Sequence, residues 1–167
     1  MTELDLDAPD RFTVGTIGPV GSRTFLVQCQ QAGTVLTVKI EKNQVAVLAS
    51  YLARFVRELG RPGHLPDDLA LRLDAGDEPD WVVGTIGVSY DEELDRLLVV
   101  AEELVPEEDE GGRSARIAVT KEQAAAFAIR ATQLVEAGRP ACPLCGLPLD
   151  PSGHDCPRTN GHRPPAT

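Results

Sequence analysis

The pentapeptide VGTIG stands at residues 14–18 and again at residues 83–87. Five matching residues do not make a repeat, so a second correspondence is needed. The segment KNQVAVLASYLARFV from Lys42 lines up with KEQAAAFAIRATQLV from Lys121, sharing the Lys, the Gln, two Ala and the final Val. The first match has an offset of 69 residues and the second of 79, so the later copy is longer by ten residues between its landmarks. The acidic loop VPEEDEGG, residues 105–112, accounts for the excess. The body of the chain reads as one unit written twice.

Both copies carry the same order of elements. Phe12–Ile17, Thr24–Gln30 and Thr34–Ile40 are short runs rich in Val, Thr, Ile, Phe and Leu and bounded by Gly, which predicts strands. Val45, Leu48, Leu52, Phe55 and Leu59 then recur at helical spacing and form one apolar face. In the second copy the strands are expected at Trp81–Tyr90, Leu94–Leu104 and Ala115–Val119, with Phe127, Ala131, Leu134 and Val135 on one side of its helix. Thr120 followed by Gln123 has the form of a capping box and marks that helix start.

The expected fold is α+β: duplicated β-β-β-α units related by a pseudo-twofold axis, antiparallel strands covering two helices, and a C-terminal zinc-binding tail. Short Gly-containing turns between neighbouring antiparallel strands need no crossover, which argues against a doubly wound nucleotide-binding fold. The boundaries follow: an acidic N-terminal tail over 1–10, then the duplicated domain over 11–137, then the tail over 138–167. Within the domain, repeat one spans 11–60, a linker with three prolines spans 61–79, and repeat two spans 80–137. Neither unit alone holds enough core to stand by itself.

Composition narrows the class. A chain of 167 residues, 42% apolar, is a globular protein that needs no metal to fold its main body. The first ten residues carry four carboxylates and no basic cluster, unlike a targeting signal, and no apolar run approaches the ~20 residues of a bilayer span. A cytoplasmic protein with no membrane role is expected, and there cysteines stay reduced. The net charge of -10 is concentrated in two runs, 67–80 and 102–110, which read as solvated loops and repel polyanions. Nucleic acid is therefore not the expected partner: the tail offers Arg139, Arg158 and Arg163 but no aromatic platform.

From residue 138 onward the chain contains seven Pro and four Gly and can extend neither a helix nor a sheet. Cys142 and Cys145, with Pro143 between them and Gly146 after, have the form of a zinc knuckle, and His154 and Cys156 complete a tetrahedral Cys₃His shell. His162 is the alternative fourth ligand. Pro143, Gly146 and Pro148 forbid the helix that a redox CxxC requires, a disulfide would strand one of the three thiols, and four good ligands leave no open position for catalysis. A structural zinc is expected. Cys29, inside a strand, reads as a small core residue.

The stretches VGTIGPVGSRTFLVQCQ, EKNQV and AGRPACPLCGLPLDPSGHDCPRTNGHR resemble an actinobacterial family, the domain-of-unknown-function family DUF3090, from about Arg11 to Arg163. That family carries no assigned activity. The resemblance implies a neighbourhood containing a phosphoglycerate-mutase-like phosphatase and a protein resembling phosphatidylinositol kinases, hence a protein partner from a pathway of phosphorylated compounds.

Outside the tail, the loop Gly18–Thr24 sets Arg23 beside Gly21, where backbone N–H groups and a guanidinium suit a phosphate; an ordinary hairpin turn with an exposed Arg accounts for the same residues. The second copy replaces that loop with the acidic VSYDEE, so an anion site would exist once. Asp91, Glu92, Glu93 and Asp95 read as turn residues, His64 as a loop histidine and Trp81 as a packing anchor. No Ser/His/Asp set, Walker loop or GxGxxG after a strand is present, so no catalytic residue is assigned. The expected function is a non-catalytic, zinc-containing binding or adaptor protein. The alternative is an enzyme or sensor acting on a phosphorylated small molecule through the Gly18–Arg23 loop.

Overall fold

The computed structural model describes residues 2–19, 21–67, 70–71, 78–137 and 144. Its elements are β1 (Thr2–Leu6), β2 (Arg11–Ile17), β3 (Thr24–Gln31), β4 (Thr34–Ile40), α1 (Lys42–Leu59), β5 (Trp81–Asp91), β6 (Arg96–Glu103), β7 (Arg113–Val119) and α2 (Lys121–Ala137). The protein is α+β, with one mixed seven-stranded sheet in the order β1-β7-β6-β5-β4-β3-β2 and two helices.

Two antiparallel meanders, β2-β3-β4 and β5-β6-β7, lie side by side, each followed by a helix. The β3–β4 turn is Ala32–Gly33, with φ of 47° and 87°, the positive pair of a tight two-residue hairpin. The Asp10 carboxylate accepts the Ala32 N–H and steadies a conformation that alanine rarely takes. The meanders meet where β4 and β5 run parallel, over Val38–Trp81 and Lys39–Val82. Asp80 reinforces that short junction: its N–H donates to the Thr37 carbonyl and its carboxylate accepts the Thr37 N–H.

Residues 2–6, expected as part of an acidic tail, form β1, which pairs parallel with β7. Leu4 and Leu6 alternate with Glu3 and Asp5, so the strand turns its leucines to the core and its carboxylates away. Its placement dictates the curvature of the sheet. A flat seven-stranded sheet would be ~29 Å across, six spacings of ~4.8 Å. Yet β1 occupies one edge and β2 the other, and the five steps from Leu6 to Arg11 reach at most ~18 Å. The sheet must curl until its edges approach.

The junctions are reciprocal. β5 starts beside β4 and runs on beside β6, while the chain from β1 to β2 starts beside β7 and runs on beside β3. Both junctions are parallel. α1 packs on β5 and α2 on β2, and the helices pack on each other.

Inside the curl, the rows Phe12–Cys29–Leu36 and Val14–Val27–Val38 face the helices and are buried. Phe127 of α2 stacks on Phe12, ring centroids 4.4 Å apart. α2 buries Ala124, Ala126, Phe127, Ala128 and Ala131, small residues that let it lie close to its neighbours, while Leu134 and Val135 are half-buried against the core. The capping box is formed: the Thr120 N–H donates to the Gln123 side chain, and the Gln123 N–H to the Thr120 hydroxyl.

The outer face of the first meander is buried too, in the polar row Thr13–Gln28–Thr37, where the Gln28 amide donates to the Thr37 hydroxyl at 3.1 Å. The connection after α1 folds back over the body. The Glu122 carboxylate accepts the Gly63 N–H, and the Leu71 side chain lies on Gly15.

Candidate functional site

The β3–β4 hairpin register decides what surrounds Arg23. With Ala32 and Gly33 as its turn, Phe25 pairs with Ile40 and Leu26 with Lys39. Two steps beyond Phe25 lies Arg23, and two beyond Ile40 lies Lys42, so the two cations arrive at the same end of the hairpin. There Gly21, Arg23, Thr24, Phe25, Lys39 and Lys42 line a hollow of about 330 Å³, with Glu41 at its wall.

Arg23 is held from two sides. Its guanidinium lies over the Phe25 ring, 5.2 Å from the centroid, and Nη2 donates to the Leu134 carbonyl in the last turns of α2 at 3.2 Å. An arginine has five N–H donors, so these contacts fix its plane and leave donors for a ligand. Gly18 and Gly21 both adopt φ of 93°, and the Ser22 N–H closes the turn on the Pro19 carbonyl. At Gly21 an added Cβ would meet nothing within 4 Å, which leaves the backbone open toward the hollow.

Sequence reading found Gly21 and Arg23 and missed Lys39 and Lys42. The signal was the hairpin register, together with the cluster Lys39-Ile40-Glu41-Lys42 at the strand–helix junction. At the corresponding end of the second meander Leu97 pairs with Val119, and the residues two steps beyond them are Asp95 and Lys121, one acid and one base.

A second hollow, about 420 Å³, shares Glu41 and Lys42 with the first and adds Asn43, Ala46 and Val135. A third lies between Leu65, Pro66, Asp67 and Ala70 of the connection and Ala126, Ile129, Arg130 and Gln133 of α2. Arg130 is committed elsewhere, donating from Nε to the Val14 carbonyl at 2.6 Å on the edge of β2.

The other sequence candidates take ordinary places. Asp91 accepts the N–H groups of Glu93 and Leu94, and the Tyr90 hydroxyl donates to Asp95, so these carboxylates shape the exposed β5–β6 turn. That donation holds the Tyr90 hydroxyl above its usual pKa. His64 faces Asp67 at 3.8 Å, both fully in solvent, and Trp81 is buried. Cys29 is buried in β3, where burial pushes its thiol up to about 12. The expected zinc ligands Cys142, Cys145, His154 and Cys156, and the alternative His162, lie outside the described residues. Among the described residues, no helix is long and apolar enough to cross a membrane.

The family model described as a protein of unknown function (DUF3090) matches residues 4–156, and the chain belongs to that family. No curated protein matches it.

Proposed function

We propose that the protein is a non-catalytic binding protein that receives a phosphate-bearing small molecule in the hollow around Arg23, and that its tail carries a structural zinc. The observation that carries the ligand reading is the convergence of Arg23, Lys39 and Lys42 on one hollow in a chain whose net charge is -10. Three cations against one carboxylate, with an open glycine loop beside them, suit an anion with several acceptor oxygens. The lining contributes charge, backbone donors and a threonine, a set suited to holding rather than transforming a ligand.

The zinc reading rests on the spacing of Cys142, Cys145, His154 and Cys156, three thiolates and one imidazole in a closed shell. We further read the two meander-plus-helix halves as copies of one unit about a pseudo-twofold axis. The repeated VGTIG, the matched helix starts and the reciprocal parallel junctions support it.

Isothermal calorimetry tests the ligand reading directly. Wild type should bind inorganic phosphate and simple phosphate esters, more weakly as salt rises. Removing one charged hydrogen-bonding partner, as in Lys39→Ala or Arg23→Ala, should weaken binding ~10- to 100-fold, the equivalent of ~1.5–3 kcal/mol. Absence of heat from any phosphate-bearing probe with wild type would end the reading.

A further inference from the structure

The basic hollow is larger than a phosphate needs. Its volume is about 330 Å³, and a phosphate group fills only part of it. Glu41 and Lys42 line this space, and the same two residues line the hollow of about 420 Å³. Both are exposed, so one ligand can lie along them and enter both spaces.

The two hollows differ in chemistry. Glu41 and Lys42 line both; the first adds Arg23 and Lys39, which gather positive charge. The second adds instead the Asn43 amide and the apolar side chains of Ala46 and Val135. The Asn43 Oδ1 accepts the Gln44 N–H at 2.9 Å, so its NH₂ is the half left to donate. The second hollow thus sets one carboxylate against one cation, with no excess of positive charge for a second phosphate; Glu41 and Asn43 suit hydroxyls, while Ala46 and Val135 offer a surface for C–H groups.

We propose, resting on the phosphate reading of the first hollow, that the ligand is a phosphate monoester of a polyhydroxylated carbon skeleton, a sugar-phosphate-like molecule. Its phosphate sits among Arg23, Lys39 and Lys42. Its hydroxyls meet Glu41 and Asn43, and its carbon face lies on Ala46 and Val135. A simple alkyl phosphate lacks the hydroxyls, a bisphosphate meets a hollow without excess positive charge, and inorganic phosphate leaves the second hollow unused.

The test is calorimetry on the full chain with inorganic phosphate, butyl phosphate and glucose 6-phosphate as probes. Wild type should bind glucose 6-phosphate at least ~10-fold more tightly than the other two, the worth of one or two additional neutral hydrogen bonds. Ala46→Trp changes an exposed position of α1 and fills the second hollow; within that variant glucose 6-phosphate should bind no more tightly than inorganic phosphate. Equal affinity for all three probes, tighter binding of butyl phosphate, or a preference that survives Ala46→Trp would each overturn the proposal while sparing the basic hollow. Failure of inorganic phosphate and both esters to bind would overturn the underlying reading as well.

Discussion

Gln44 and Gln123, each the third residue of its helix, make the same two hydrogen bonds. The Gln44 side chain accepts the Glu41 N–H at 2.9 Å and donates to the Gly84 carbonyl at 3.1 Å; the Gln123 side chain accepts the Thr120 N–H at 3.0 Å and donates to the Pro9 carbonyl at 2.8 Å. Each glutamine satisfies an N–H at the start of its own helix and ties that helix to the segment that crosses between the two meanders. The Lys-x-Gln match in the sequence is thus explained by a structural task.

Replacing either glutamine by alanine should therefore destabilise the protein by a similar amount, ~1–2 kcal/mol for two lost hydrogen bonds at a part-buried site. The two sites share no partner, so Gln44→Ala and Gln123→Ala together should cost the sum. Urea unfolding of the two single variants and the double variant measures this. A double variant no less stable than the singles would show that the two ties are not independent.

The glycines of the repeated VGTIG make unequal demands. At Gly84 an added Cβ would stand 2.9 Å from the Leu104 Cα and 3.1 Å from its nitrogen, and this backbone is held by the bond from the Leu104 N–H to the Val82 carbonyl. The β5–β6 register also shifts there, between Val83 and Thr85. At Gly87, by contrast, a Cβ meets nothing within 4 Å. Gly84→Ala should cost ~1–3 kcal/mol, as overpacking does, and Gly87→Ala should stay within ~0.5 kcal/mol. Equal unfolding midpoints for the two variants would contradict the close approach at Gly84.

Much of this fold is written locally, and what is not depends on contacts distant in sequence. The meanders, both helix starts and the capping box follow from periodicity and from turn residues such as Ala32–Gly33. β1 was obscured because its partner, β7, lies more than a hundred residues away, and because four carboxylates outweighed the alternation of Leu4 and Leu6. The curl of the sheet has no local signature either; it follows only once both edges are known to flank residues 7–10. At the candidate site, Gly21 and Arg23 stood out as a loop motif, whereas Lys39 and Lys42 join them only through the hairpin register. Leu71 reads as part of a linker because no local pattern tells that it will cover Gly15.

Glu103 and Arg113 give the stability of the second meander a pH dependence. Arg113 donates to the Glu103 carboxylate from Nη2 at 2.9 Å, from Nε at 3.1 Å and from its backbone N–H at 2.8 Å. The side-chain hydrogen bond above all, then the backbone one, holds this carboxyl below its ordinary 4.5 in the folded protein. The unfolded chain thus binds the proton more readily, so the contribution is complete above 4.5 and is lost as pH falls through the lower folded value. Arg113→Gln should raise the Glu103 carboxyl toward 4.5 in an NMR titration. The stability gap between wild type and variant should shrink as the pH is lowered from neutral through that range. A gap of constant size from neutral pH into strong acid would mean that the pair contributes nothing through its charges.

The four cysteines should report separately on the core and on the tail. Cys29 is 1% exposed and burial pushes its thiol up to about 12, so at neutral pH it is held as the unreactive thiol. Thiolates bound to zinc also react more slowly, because the metal takes up one sulfur lone pair and draws off the negative charge that makes the sulfur nucleophilic. A disulfide reagent added to the native, zinc-loaded protein should therefore titrate no thiol quickly. A strong chelator should release the three of the tail, Cys142, Cys145 and Cys156, and only denaturant should release Cys29. Far-UV circular dichroism should change little at the chelation step, since the strands and helices of the described residues lie in β1 to α2. Three thiols reacting before any chelator is added would remove the zinc reading. A fourth reacting with chelator alone would show instead that the metal supports the core around β3.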